Sequence, residues 1–185
     1  MMTAPPIIET PRALLTVLSP LYAHLHLDYQ LRNKEHLAQW EPLREDEFFT
    51  VNASQLRAEN AIFQFVFGST IQFIAFNRDF TKVIAVCFFT NIVKGPVLSC
   101  DFSCSISKEL EGIGLMQEIA AAGIQFMFDD IGLHRIEATY MPTNLRSKAL
   151  LKRLGFEDEG YAKSYAKILG KWEDMITCAL LNSKI

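Results

Sequence analysis

The chain reads as an α/β protein with helices on both faces of a mixed, mostly antiparallel sheet, and three features lead there. Apolar residues recur at helical spacing through the first third. The period then shortens to two across several runs rich in β-branched and aromatic residues. Helical and strand-like runs alternate after residue 107. RALLTVLS (12–19) reads as a first strand. Ser19 followed by Pro20 is a helix start, as cap and first position. The run LYAHLHLDYQLRNKEHLAQW carries one or two helices, and QWEPLREDEFF, polar and interrupted by Pro42, includes a turn. Asn52 is the expected cap of a helix running to about Gly68. IQFIAFN (71–77) and KVIAVCFFTNIV (82–93) read as strands joined by a hairpin turn at NRDFT, and VLSCDFSCSI (97–106) as a third. LMQEIAAAGIQFMF is apolar on most faces, which predicts a buried helix of about four turns. HRIEATYM (134–141) is a strand, Asn144 to Leu154 a helix stopped by Gly155, and two last strands flank the turn at ILGKW.

At 185 residues, half of them hydrophobic, the expectation is one domain, 1–185, with a single sizeable core. A formal net charge of −3 gives no footprint for nucleic acid. The four cysteines, Cys87, Cys100, Cys104 and Cys178, form no C-x-x-C pair, so no metal site is expected. Cys100 and Cys104 read as small apolar residues on one strand face in a reducing cytoplasm. No segment reads as a secretory leader or a membrane span, so no membrane partner is expected.

KELEGIGLMQEIAAAG (108–123) carries the most specific signal and a contradiction. Gly112 and Gly114 open a helix, where free N–H groups and the positive end of the helix dipole suit a phosphate that glycine lets approach closely. Glu109 and Glu111 crowd the same place, and carboxylates repel phosphate. A glycine-opened core helix without any ligand is the plain alternative. If the carboxylates are exposed, solvent screens them and they can swing aside.

A strand, G-x-G, a long helix, a strand, and N-x-x-S ahead of G-F resemble the GNAT acetyltransferase superfamily. WEPLREDE, SCSISKELEGIGLM, HRIEATYMPTNLRSKALLKRLGFEDEGYAKSY and GKWEDM resemble, within it, the RimJ/RimL group of ribosomal-protein N-terminal alanine acetyltransferases. The resemblance implies the GNAT fold, in which a splayed strand pair binds acetyl-CoA, the cosubstrate. It implies donor contacts from Cys104, Ser105, Ile106 and Ser107 on the strand, from Glu111, Gly112, Ile113, Gly114 and Leu115 at the loop, and from Asn144 and Ser147. Ser147 is implied as the donor of a proton to the leaving thiolate, although Asn144 also reads simply as a helix cap. Trp40, Glu41 and Tyr165 fall on the acceptor side. The sequence departs from the group at several places. Glu109 opens the loop pattern, Glu111 and Ile113 stand where a Gln and a basic residue are usual, and Ser103-Cys104 stands where the family carries Gly-Tyr. Ala166 stands where some RimL-like enzymes carry a catalytic Glu. Many GNAT enzymes place a Glu on the strand before the glycine loop, and the resemblance implies Asp101, at about that place, as the base, with a polar residue on an exposed strand face as the alternative, Glu137 as a weaker candidate and His134 read as structural. The implied activity is acetyl transfer to a protein N-terminus. Transfer to a small amine, or acyl-CoA binding with little turnover, are the alternatives. The oligomeric state stays open, a homodimer included.

Overall fold

The computed structural model describes residues 4–184. Eight strands form one sheet: β1 (Ile7–Glu9), β2 (Ala13–Val17), β3 (Ile71–Asn77), β4 (Val83–Val93), β5 (Ser99–Ile106), β6 (Arg135–Tyr140), β7 (Glu157–Ile168) and β8 (Lys171–Leu181). Four helices accompany them: α1 (Ala23–Leu37), α2 (Val51–Phe67), α3 (Leu115–Asp129) and α4 (Leu145–Leu154). The spatial order is β1-β2-β3-β4-β5-β6-β8-β7. Every neighbouring pair is antiparallel except β5 and β6, whose connection runs through α3.

The two sheet faces carry separate apolar layers. Tyr29 of α1 and Ala58 and Ala61 of α2 pack on Ile74, Phe76 and Val86. Ile119, Ala120 and Met127 of α3 and Leu151 of α4 pack on the other face with Phe73, Phe89 and Ile136. Strand alternation sends neighbours such as Phe73 and Ile74 to opposite layers. Gly123 has a packing reason inside α3: a Cβ there would stand 3.1 Å from the Phe89 ring. Cys87, Cys100 and Cys178 are buried, free thiols in the α3-side layer, with Cys104 packed against it.

Several local expectations change. The cap of α2 is Thr50, whose Oγ1 accepts from the Ala53 N–H at 3.3 Å; Asn52 lies one residue inside the helix. Ser19–Pro20 does open a helical segment, but as a short 3-10 turn, Pro20–Tyr22, in which the Ser19 side chain makes no cap bond. The first strand in the chain is β1, which pairs with β2 (Ile8 opposite Leu15). Three residues between prolines carry too little periodicity to read, and proline is tolerated beside an edge strand. Gly68 (φ 72°) and Gly155 (φ 92°) end α2 and α4 in the left-handed conformation their stop signals predict.

What positions the site is a divergence in mid-sheet. β4 holds β5 as far as Ala85–Ile106, and β8 holds β6 as far as Tyr140–Ile176. The parallel β5–β6 register stops at Phe102–Ala138, because beyond it each strand follows its own antiparallel partner.

Candidate active site

The open stretch of β5 has a definite polarity. The Ser107 N–H donates to Ile84 O at 2.8 Å, which makes 107/84 a hydrogen-bonded antiparallel pair. Such pairs alternate, so Ser105 and Ser103 also turn their backbone groups to β4. The N–H and C=O groups of Cys104 and Ile106 therefore point to the side that β6 has left. They form a short free strand edge, of the kind an extended ligand can pair with.

β5 leads into the glycine loop through a 3-10 turn, Lys108–Leu110. Buried Asn33 of α1 pins this entry: its Oδ1 accepts from the Lys108 N–H at 3.1 Å and its Nδ2 donates to Ser107 Oγ at 3.3 Å. Gly112 (φ 78°) and Gly114 (φ 75°) then take left-handed backbone, which other residues adopt only under strain. The Glu118 N–H is the first to bond back, to Gly114 O at 3.3 Å. The N–H groups from Gly112 to Gln117 have no acceptor among the described residues. Arg12 braces the loop from the start of β2. It donates to Ile113 O at 3.0 Å and, through Nε, to Glu118 at 2.6 Å. Glu118 titrates below the usual carboxylate range: burial pushes its pKa up, and the hydrogen bonds from Arg12 outweigh that.

Both acidic residues of the loop are held by cations. Glu109 lies 3.1 Å from Lys82 Nζ and 3.7 Å from Arg32. Its pKa is lowered, first by a backbone hydrogen bond and then by these neighbours against a desolvation cost. Glu111 is not an exposed side chain free to swing away: it is 21% exposed, 3.0 Å from His36 Nε2, and bonded on its other oxygen by Arg146. It ties α1 and α4 together across the loop.

Between these elements opens a cleft of about 940 Å³. Its walls include Ser103, Cys104, Ser105 and Ile106 of β5, Glu111, Gly112, Gly114 and Leu115 at the loop, and Asn144 and Ser147 of α4. Trp40 and Glu41 form part of the opposite wall. The Ser105 hydroxyl is 2.8 Å from that of buried Tyr29. Asn144 caps α4, its Oδ1 accepting from the Ser147 N–H at 3.0 Å. Its Nδ2 has no acceptor among the described residues.

Four expected residues lie outside the cleft lining. Ser107 is fully buried, taken up by Asn33 and Arg32. Ile113 is exposed and turned outward. Tyr165 is also exposed; its neighbour Ala166 lines the cleft instead, since strand alternation sends successive residues to opposite sides. Asp101 precedes the opening and accepts from Asn91 Nδ2 at 2.6 Å. Glu137, beside it in register, is held by Arg135 at 2.6 Å. Arg12, Tyr29, Asn33, His36, Arg146 and Tyr140 escaped the sequence reading. Only the loop's excess negative charge hinted that cations must gather there.

The family profile described as Acetyltransferase (GNAT) domain matches residues 17–157. The [Ribosomal protein uS5]-alanine N-acetyltransferase of Escherichia coli (strain K12) is 40% identical over 153 residues, 83% of this chain and 79% of that protein. The structure of ribosomal-protein-S5-alanine acetyltransferase from Vibrio fischeri superposes with a TM-score of 0.92 at 31% identity, covering 96% of this chain and 97% of that one. Mycobacterium smegmatis RimJ in complex with CoA-disulfide shares the fold, with a TM-score of 0.89 at 22% identity over 98% and 88% of the two chains. With so much of its length matched, the chain belongs to the GNAT acetyltransferase family. Its activity is acetyl-CoA-dependent N-acetyl transfer, with acetyl-CoA as the donor.

Among the described residues no three His, Cys, Asp or Glu side chains gather as a metal-binding group. No helix there is long and apolar enough to cross a membrane.

Proposed function

We propose that the chain, acting as one acetyltransferase domain over 1–185, acetylates the N-terminal α-amine of a ribosomal or other protein in the cytoplasm. The observation that carries this reading is the 40% identity, over most of both chains, to an enzyme named for acetylating alanine of uS5. In this reading the donor's pyrophosphate lies on the free N–H groups from Gly112 to Gln117, where the helix dipole favours an anion. The pantetheine arm pairs with the free edge at Cys104 and Ile106 as an added strand. Asn144 offers its unused Nδ2 to the same arm. Ser147, one turn into α4, donates a hydrogen bond to the departing thiolate. Trp40 and Glu41 receive the acceptor from the facing wall.

The acceptor chemistry fits such a site. An α-amine titrates near 7.7–8.0, so roughly a tenth is neutral at pH 7, against well under a thousandth of a lysine side chain. A neutral amine attacks the thioester carbonyl, and the proton it sheds as the new bond forms is left for the protein to accept. The test is mass spectrometry of protein N-termini from cells with and without the enzyme, beside a panel of N-terminal peptides and small amines. Loss of acetyl-alanine on a ribosomal protein is the expected outcome. Turnover of small amines alone, or donor binding with no turnover on any amine, overturns the reading.

A further inference from the structure

Acetyl transfer to an amine leaves a proton to be removed, and the carboxylates first considered for it are engaged elsewhere. Asp101 is bonded to Asn91 and Glu137 to Arg135, both outside the cleft lining. Position 166, which does line the cleft, is alanine. Two carboxylates remain on the cleft wall, Glu111 and Glu41. Glu111 is occupied by His36 and Arg146. The Glu41 carboxylate has no hydrogen-bond or ion-pair partner among the described residues, so its lone pairs are available to a ligand.

We propose that Glu41 is the general base: its carboxylate takes the proton from the acceptor amine, directly or through one water. The proposal rests on this cleft being the place of acetyl transfer. The amine nitrogen forms its bond to the acetyl carbon, and its surplus proton passes to Glu41 and on to solvent. The carbon–sulfur bond breaks, and the thiolate is protonated from the Ser147 side or by solvent.

Three observations support the assignment. Glu41 is held in place, because its backbone carbonyl accepts from the Leu169 N–H at 2.9 Å and so ties the end of the α1 segment to the β7–β8 turn. It lines the same cleft as Cys104 and Ser105 of the splayed strand. The Tyr29 hydroxyl, bonded to Ser105 of β5, is pushed up in pKa by burial and, to a lesser extent, by the charge of Glu41. Finally, burial raises the pKa of Glu41, with Arg44 opposing, which makes its carboxylate a stronger base than an exposed glutamate. The other titratable groups around it suit the role less well. The Cys104 thiol is pushed up to about 12 by burial and stays protonated. The Tyr140 hydroxyl, also raised to about 12 by burial and by Asp158, already donates to that carboxylate. His36 is spent on Glu111. The β7–β8 wall contributes Ala166, Ile168 and Met175, none of which titrates.

The experiment compares Glu41→Gln with the unmodified enzyme, using whichever acceptor, peptide or small amine, the unmodified enzyme turns over. Glutamine keeps the volume and removes the base. The expected result is a kcat lowered by about a hundred- to ten-thousandfold, in line with general-base contributions, with acetyl-CoA affinity unchanged. The rate of the unmodified enzyme should rise through a titration above the usual glutamate range, and that limb should vanish in the variant. A variant with unchanged kcat and a raised acceptor KM makes Glu41 an ammonium anchor and overturns the proposal; so does an unchanged pH profile. Failure of every protein N-terminal peptide as acceptor, with small amines turned over, counts against the proposed acceptor and leaves the Glu41 comparison intact.

Discussion

Replacing Glu111 by Gln tests how the acidic loop lives with an anionic donor. The change removes one negative charge beside the free N–H groups from Gly112 to Gln117 and leaves the shape nearly the same. At a separation of roughly 7 Å, a carboxylate and a phosphate charge repel by about 0.6 kcal/mol at the dielectric of water and about 2.4 kcal/mol at an effective dielectric of about 20. Arg146 already offsets part of the Glu111 charge and is 72% exposed, so the lower half of that range applies. Acetyl-CoA affinity should therefore rise about three- to tenfold, at 1.4 kcal/mol per tenfold. The freed Arg146 adds to the gain by turning its charge toward the donor. Isothermal calorimetry at low and high ionic strength reads it, and the gain should shrink with salt because the site is open to solvent. Glutamine can still accept from His36 and only the pair with exposed Arg146 loses its charge, so a loss of about 1 kcal/mol and a small fall in the thermal midpoint are expected. An unchanged or weaker affinity at low ionic strength refutes the reasoning: the clasp of His36, Glu111 and Arg146 would then be needed to order the loop more than its charge opposes the donor.

Gly112→Asp should abolish acetyl-CoA binding while the fold persists. No atom lies within 4 Å of a Cβ at this position, and aspartate is among the side chains that take left-handed backbone with least strain, so undiminished calorimetric affinity in the folded variant would remove the loop from the donor site. Ser147→Ala should slow single-turnover chemistry by about ten- to a thousandfold with little change in donor affinity, because its hydrogen bond matters most as charge develops on sulfur. Asn144→Asp should do the reverse. It keeps the cap on the Ser147 N–H but exchanges the Nδ2 donor for a negative charge, so weaker binding with stability kept or slightly raised by the helix dipole is expected, whereas Asn144→Ala would also lose about 1 kcal/mol of capping. Glu118 titrates below its unfolded value, so its contact with Arg12 stabilises the fold above the unfolded pKa and fades as pH falls through the folded one. Glu118→Gln should therefore flatten the acid limb of a stability–pH curve, and an unchanged limb would show that the brace carries no linkage.

Local chemistry wrote most of the frame into the chain. The alternation in 71–77 and 82–93, the apolar helix after Gly114, and the stops at Gly68 and Gly155 each depend on residues a few positions apart, and each became the element it predicts. The glycine loop and the N-x-x-S segment were legible for the same reason: left-handed backbone and a helix cap are properties of short stretches. Thr50 was missed as a cap because Thr50 and Asn52 are both plausible by type, and the first turn of α2 chose between them. Side-chain partners were beyond that reach. Arg12 meets Ile113 and Glu118 from more than a hundred residues away, and His36 and Arg146 reach Glu111 from two different helices. Whether Asp101, Glu137 or Glu41 carries a free carboxylate depends on Asn91 and Arg135 arriving beside the first two, and on the divergence of β5 from β6 opening the cleft beside the third. By itself the sequence determined where backbone would be bare and where helices and strands would begin. Only the tertiary structure decided which charges are neutralised and which remain free, because Coulomb and hydrogen-bond energies depend on distances in space that chain position does not specify.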